Sequence, residues 1–318
     1  MLKSYDFVKR NSLSANITDS ALLARERELL EEFVKNNPPL GEATPCHMCG
    51  GETSFFAEIG GVTYRRCSRC FSVFAEVSPS VMEKYKAYEP LLAYYRDGGF
   101  QKTSSEKRGG VWDELLFWLN FRVNRYLAKK SVSVLDYGGI FYGLSERIQN
   151  AAFCETYRRR SNTLGDFNLS EEKSDVVLCL DALSGKINPE ETLSGLKNSL
   201  KDGGILILSS RTGTGFDILT LRGRGIYPYK YVLLPSVSGL QIMLEKLGFE
   251  ILEISTPGTL DVNYVMEYVK DSPEFNESNP FIGYMLGNSE PSTLWEFQSF
   301  LQKNGLSSFT RVIARKIV

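Results

Sequence analysis

Residues 174–210, SDVVLCLDALSGKINPEETLSGLKNSLKDGGILILSS, decide the fold. The run from Val176 to Leu180 is unbroken by polar residues and stops at Asp181, as expected of a strand covered on both faces. NPEETLSGLKNSLKDGG then reads as an amphipathic helix whose Leu-rich side lies between Leu193 and Leu200, stopped by Gly203 and Gly204. GILILSS is a second buried strand. A strand, a helix and a strand in this order predict a parallel pair with a helical crossover. Outward from this unit the pattern repeats. Upstream lie SVSVLDYGG (131–139), a strand, and GLSERIQNA (143–151), a short helix. Downstream lie SVSGLQIMLEKLGF (236–249), a helix, and EILEISTPG (250–258), a strand, and the chain ends with a helix over 290–305 and a strand over 309–318. Right-handed crossovers make this a doubly wound sheet that takes ligands at the carboxyl ends of its strands.

Composition narrows the function. The 318 residues are 42% hydrophobic and 24% charged, enough for a sizeable core and for roughly two domains or, equally, one large α/β domain with an appendage. Thirty-seven basic against 38 acidic residues leave a net charge of -1, which removes a global electrostatic case for nucleic acid. Arg65, Arg66, Arg69 and Arg158 to Arg160 are the only local basic groupings. The N-terminal residues carry no apolar leader core, and no apolar run approaches the roughly 18 residues a membrane helix needs. The expectation is a cytoplasmic protein in a reducing compartment.

Six cysteines face one histidine, and four of the six fall within residues 46–70, CHMCGGETSFFAEIGGVTYRRCSRC. This is C-x2-C, seventeen residues, then C-x2-C, the spacing of a zinc ribbon. Each tight turn presents two sulfurs, and SFFAEI and VTYRR, joined at Gly60-Gly61, form a hairpin that brings the turns together. Cys46, Cys49, Cys67 and Cys70 are therefore the expected ligands of a structural zinc, with no open position for substrate. His47 is read as a solvated neighbour, and Cys154 and Cys179 as buried apolar side chains. Ahead of the ribbon, residues 18–36 form an amphipathic helix. Residues 78–99 and 111–130 supply further helices, with Trp112, Phe117, Trp118 and Phe121 as a packing face. Exposed aromatics in these helices could instead give a face for a homo-oligomer or a protein partner. The expected organisation is a helical segment (1–45), a ribbon (46–77), a helical cap (78–130) and an α/β domain (131–318).

Asp181, the Leu-rich helix and Lys201-Asp202-Gly203-Gly204 resemble the second half of a class I S-adenosylmethionine (SAM)-dependent methyltransferase, and GLQIMLEKLGFEILEISTPG extends the likeness. With the ribbon and CFSVFAEVSPSVMEKYKAYEP in front, the chain resembles the methyltransferases of sugar and surface-polysaccharide pathways over about residues 46–256. The resemblance implies a seven-stranded, mostly parallel, Rossmann-like sheet, SAM as cofactor, and a saccharide, nucleotide-sugar or similar polar metabolite as acceptor. The family's acidic-x-G-x-G-x-G turn maps Asp136 onto the acid and Gly138 onto the first glycine, with Gly139 beside it, while Ile140 and Tyr142 hold the next two glycine positions. Glu155 is the candidate for the ribose acid and Asp166 for the adenine side. Asp181, Arg211 and Tyr231 lie toward the acceptor, and Tyr231 stands where relatives often carry a His. With its only His in the ribbon, the chain has no histidine base. The alternative is a non-catalytic relative, a scaffold whose cofactor pocket is filled by Ile140 and Tyr142.

Overall fold

A computed structural model describes residues 20–38, 41, 43–96, 109–138, 142–160, 172–270 and 272–317. The chain begins with helix α1 (Ser20–Asn36) and the ribbon strands β1 (Thr53–Ile59), β2 (Val62–Cys67) and β3 (Val73–Ala75). Helices α2 (Pro79–Lys86), α3 (Glu89–Arg96) and α4 (Gly109–Leu127) lead into the α/β part. There β4 (Val132–Tyr137), α5 (Tyr142–Gln149), β5 (Cys154–Arg160), β6 (Ser174–Leu180), α6 (Pro189–Asn198) and β7 (Leu200–Arg211) alternate as expected. Next come α7 (Phe216–Thr220), β8 (Leu233–Leu234), α8 (Val237–Lys246) and β9 (Phe249–Ser255). Helices α9 (Asp261–Lys270), α10 (Pro273–Ser278), α11 (Pro280–Asn288) and α12 (Pro291–Lys303) then precede the last strand, β10 (Phe309–Lys316).

The large sheet has the order β5-β4-β6-β7-β10-β9. Strands β5, β4, β6 and β7 are mutually parallel, and β10 runs antiparallel between β7 and β9. Among the described residues the large sheet thus holds six strands rather than seven, because the segment between β5 and β6 is too short for another helix and strand. Alternation along the strands sends side chains to two cores. Leu135, Val177, Cys179, Leu206 and Leu208 meet Leu193 and Leu196 of α6 and Leu240, Met243 and Leu244 of α8. On the opposite face Val134, Val176, Leu178, Ile205 and Ile207 meet Leu119 and Val123 of α4 and Leu144 and Ile148 of α5. Helices on both faces of a parallel-rich sheet make the fold doubly wound and Rossmann-like.

The ribbon is spliced into this domain. Its sheet has the order β1-β2-β3-β8, with β8 supplied from residues 233–234. Phe74, Met48 and the sulfur-bearing Cys46, Cys67 and Cys70 share one core with α6 and α8.

Two side-chain expectations are corrected. Phe117 and Phe121 point to solvent, at 72% and 47% exposure, because the buried face of α4 is formed instead by Leu119, Arg122 and Val123. Arg122 is accommodated there by a salt bridge of 2.8 Å to the equally buried Glu253 of β9. The side chain of Trp112 lies outside the described residues, while Trp118 packs on the sheet. Cys154 is half-buried at the start of β5, whereas Cys179 is fully buried. No helix among the described residues is long and apolar enough to cross a membrane.

Because the ribbon and the sheet share a core, Phe74→Ala should cost about 3–5 kcal/mol and lower the midpoint of a single urea transition, read by circular dichroism. A separate early transition confined to the ribbon would contradict the shared core.

Candidate functional site

Two places gather chemically capable side chains. The first is the cysteine cluster, whose four sulfurs all lie within 4.8 Å of one another. Cys46 Sγ is 3.5 Å from Cys70 Sγ, and Cys49 Sγ is 3.5 Å from Cys67 Sγ. A tetrahedron of sulfurs about 2.3 Å from a central ion has edges of about 3.8 Å, so the group is compatible with a four-thiolate zinc site. The turns also supply charge stabilisation: Met48 N–H donates to Cys46 Sγ, and Arg69 and Cys70 N–H donate to Cys67 Sγ. His47 takes no part in the sulfur group. Its ring stacks on Phe74 with centroids 4.5 Å apart, its Nε2 lies 3.0 Å from Thr44 Oγ1, and burial lowers its pKa.

The second place is the carboxyl end of the large sheet. Strand β4 has β5 on one side and β6 on the other, so the crossovers leave it in opposite directions, the switch point at which doubly wound sheets form their ligand crevice. Gly138 stands at that crevice with φ 103°, a conformation that needs glycine. Just before it, Asp136 is buried and accepts hydrogen bonds from Tyr157 (2.6 Å) and Ser145 (3.2 Å). The carboxylate therefore ties β4 to β5 and to the start of α5. Gly139, Ile140 and Asp166, and the side chain of Tyr142, lie outside the described residues.

Glu155 is not brought to the crevice. It is exposed near the amino end of β5, whereas Asp136 pairs in register with Arg159 toward the other end. The residues that reach the crevice from β5 are Arg159 and Arg160, and Arg160 accepts the Gly138 N–H through its carbonyl.

Asp181, Arg211 and Tyr231 do come together, at the ends of β6 and β7. Asp181 has φ 57°, a left-handed conformation tolerated best by Asn and Asp. Its N–H donates to the Ser209 carbonyl, and Ser184 Oγ donates to its Oδ1 at 3.3 Å. Burial pushes its pKa up to about 6, against the opposing pull of Lys230, Ser184 and Arg211. Burial would lower Arg211, but the Asp217 carboxylate, 2.5 Å away, overrides this and fixes the guanidinium as a cation. Arg211 lies 5.6 Å from the centroid of the Tyr231 ring, and the Tyr231 carbonyl accepts from Tyr64 of β2. Tyr231 is raised by burial and by Asp181, so its hydroxyl keeps its proton at neutral pH.

Three partners were not marked out by sequence. Glu26 of α1, 1% exposed, holds Lys230 Nζ at 2.9 Å, and Lys230 lies over the Tyr227 ring. Asp217 anchors Arg211. Lys186 is buried 5.3 Å from the centroid of Tyr137, its pKa pulled to about 8 by burial and by the charge of Lys86. Of these, only Lys186 carried a readable signal, a lone charge just beyond a buried strand.

No family model and no curated protein matches the chain. Solved structures similar to it include magnesium protoporphyrin IX methyltransferase from Synechocystis PCC 6803 with bound SAH, at 14% identity. That match covers 75% of this chain and 100% of the other, with TM-score 0.41. Another is a putative sarcosine dimethylglycine methyltransferase from Galdieria sulphuraria, at 12% identity over 64% of this chain and 86% of the other, with TM-score 0.40. Neither assigns a role to a residue of this chain.

An acid whose folded pKa is raised destabilises the protein once it ionises, so stability is gained below the unfolded value near 3.9 and lost as pH rises through about 6. Asp181→Asn, which keeps the left-handed conformation, should raise the melting temperature at pH 8 and leave it nearly unchanged at pH 4. Calorimetry at the two pH values is the check.

Proposed function

We propose that the chain is a SAM-dependent methyltransferase acting on a small polar acceptor, with a structural zinc held by Cys46, Cys49, Cys67 and Cys70. The observation that carries this reading is the topological switch point at the end of β4, where Gly138 has a positive-φ conformation that leaves its backbone open to a ligand and Asp136 is fixed behind it. Beside that crevice, on the two neighbouring strand ends, stands an acid-base cluster. When bound, SAM would supply an electrophilic methyl group; the rest falls to this chain.

Gly138 lines the approach, and Asp136 holds the turn to β5. Asp181, with a pKa of about 6, is ionised at neutral pH yet close enough to neutrality to accept a proton from an acceptor hydroxyl or amine. Tyr231 remains a neutral hydroxyl that orients the acceptor, and Arg211 places a fixed positive charge against an acceptor oxygen. The sequence resemblance points to a saccharide, nucleotide-sugar or related metabolite as acceptor. The zinc is closed off by four thiolates and acts on structure alone.

The scaffold reading draws support from one placement: Glu155, the candidate ribose acid, stands near the amino end of β5. Calorimetric titration of the zinc-replete protein with SAM and with its demethylated product separates the two. Binding that Gly138→Val weakens at least tenfold supports the enzyme, and no binding of either compound at high protein concentration leaves the scaffold. In an active preparation, Asp181→Asn should lower kcat by about 10²–10⁴-fold with SAM affinity unchanged. Chelation should release one zinc per chain and lower the melting temperature, read by elemental analysis and calorimetry.

A further inference from the structure

A cavity of about 480 Å³ lies apart from the strand ends, between α1 and α9, and is floored by the tip of the β1–β2 hairpin and by residues 221–228. Its walls come from regular helical spacing. Arg27, Leu30, Glu31 and Val34 recur at i, i+3, i+4 and i+7 on α1, and Tyr264, Glu267 and Tyr268 at i, i+3 and i+4 on α9. Most of the lining is apolar, and the volume falls within the range of about 300–1,000 Å³ usual for small-molecule sites.

Four charged side chains line it: Arg27 and Arg224, and Glu31 and Glu267. None makes a hydrogen bond or ion pair among the described residues, although opposite charges share one cavity. Arg224 lies over the Tyr268 ring, 5.2 Å from its centroid, which holds a cation beside a flat aromatic wall. An apolar, tyrosine-walled cavity with two guanidinium groups and two carboxylates complements a flat apolar body that carries both signs of charge. A guanidinium pairs with a carboxylate, and a carboxylate with an ammonium group.

We propose that this cavity is a second small-molecule site, separate from the crevice at β4, for a planar, largely apolar zwitterion of the chemical type of an aromatic amino acid. The site adjoins the acceptor cluster through one loop. The Gly225 carbonyl accepts from Arg211 Nη1 at 3.3 Å, the Tyr264 hydroxyl packs against Gly225, and the Tyr227 ring in the cavity wall carries Lys230 on it. An occupant would press on the loop that positions Arg211 and Lys230.

The test is calorimetric titration of the full-length, zinc-replete protein, without SAM, with three probes that share one ring system: L-tryptophan, indole-3-propionate and tryptamine. L-Tryptophan should bind at least fivefold more tightly than either singly charged probe. Arg224→Gln should abolish its advantage over tryptamine, and Glu267→Gln its advantage over indole-3-propionate. Both positions are exposed, where a substitution usually costs little stability. Val34→Trp, which fills the cavity, should block all three probes. Equal binding of the three, no binding at millimolar concentration, or binding indifferent to all of these substitutions would overturn the assignment. None of these results bears on SAM binding, which is measured separately.

Discussion

The antiparallel pairing of Val73 and Phe74 in the ribbon with Leu234 and Leu233 beyond the large sheet is the junction on which the rest of the molecule depends. It is only two residues long, yet it is reinforced on both sides. Ala75 N–H donates to the Val232 carbonyl, and the Ser236 and Ser238 hydroxyls donate to the Cys70 carbonyl. Ser236 N–H donates to Ser72 Oγ, so the cap of α8 and the second cysteine turn are built from one set of hydroxyls. Backbones meet closely enough that Gly213 has no room for a side chain: a Cβ there would lie 2.7 Å from the Leu234 carbonyl oxygen and 3.0 Å from Val73 N. Gly213 stands two residues after Arg211, so the ribbon bears directly on the end of β7.

The same junction explains how a buried cluster of charges is kept at the sheet end. Leaving Asp181, Arg211, Lys230 and Glu26 largely out of water is costly unless each finds a partner in fixed geometry. Arg211 and Lys230 have theirs in Asp217 and Glu26, drawn from a different helix in each case. Asp181 receives a serine hydroxyl, the Arg211 backbone N–H and more distant positive charge, and burial drives its pKa upward against them. Unequal pairing is what separates Asp181 from ion pairs such as Arg122–Glu253, where burial also raises the carboxylate but a salt bridge engages it directly.

The features legible in sequence were those set by local pattern. The apolar runs of β4, β6 and β7, the Leu-rich side of α6 and the C-x2-C spacing each announce themselves within a few residues. Strand β8 did not, because a two-residue strand has no period, and its pairing partner lies some 160 positions away. The helices from α9 to α11 went unread because that stretch mixes aromatic and polar residues, with Gly283 and Gly287 inside α11 blunting its helical signal. Phe117 and Phe121 misled because α4 buries an arginine on its inner face, and only Glu253 of β9, remote in sequence, makes that tolerable. Glu155 misled through register: its composition fitted a site carboxylate, but pairing with β4 puts arginines at the end where that carboxylate was needed.

The ribbon therefore supports the candidate chemistry without entering it. Tyr64 of β2 donates to the Tyr231 carbonyl at 2.9 Å, and Tyr229, in a left-handed conformation at φ 65°, is buried against Phe33 of α1 and Tyr85 of α2. The segment from 225 to 234 is thus pinned by the ribbon at one end, by α1 and α2 in its middle, and by Arg211 at Gly225. A loop held at three points has little freedom to relax when one is lost, because each hold fixes backbone that the others need in place. Four sulfurs at one end of the ribbon sheet and the Asp181 carboxylate at the end of β6 belong to one mechanical unit, so the geometry around Tyr231 follows the integrity of the cysteine turns.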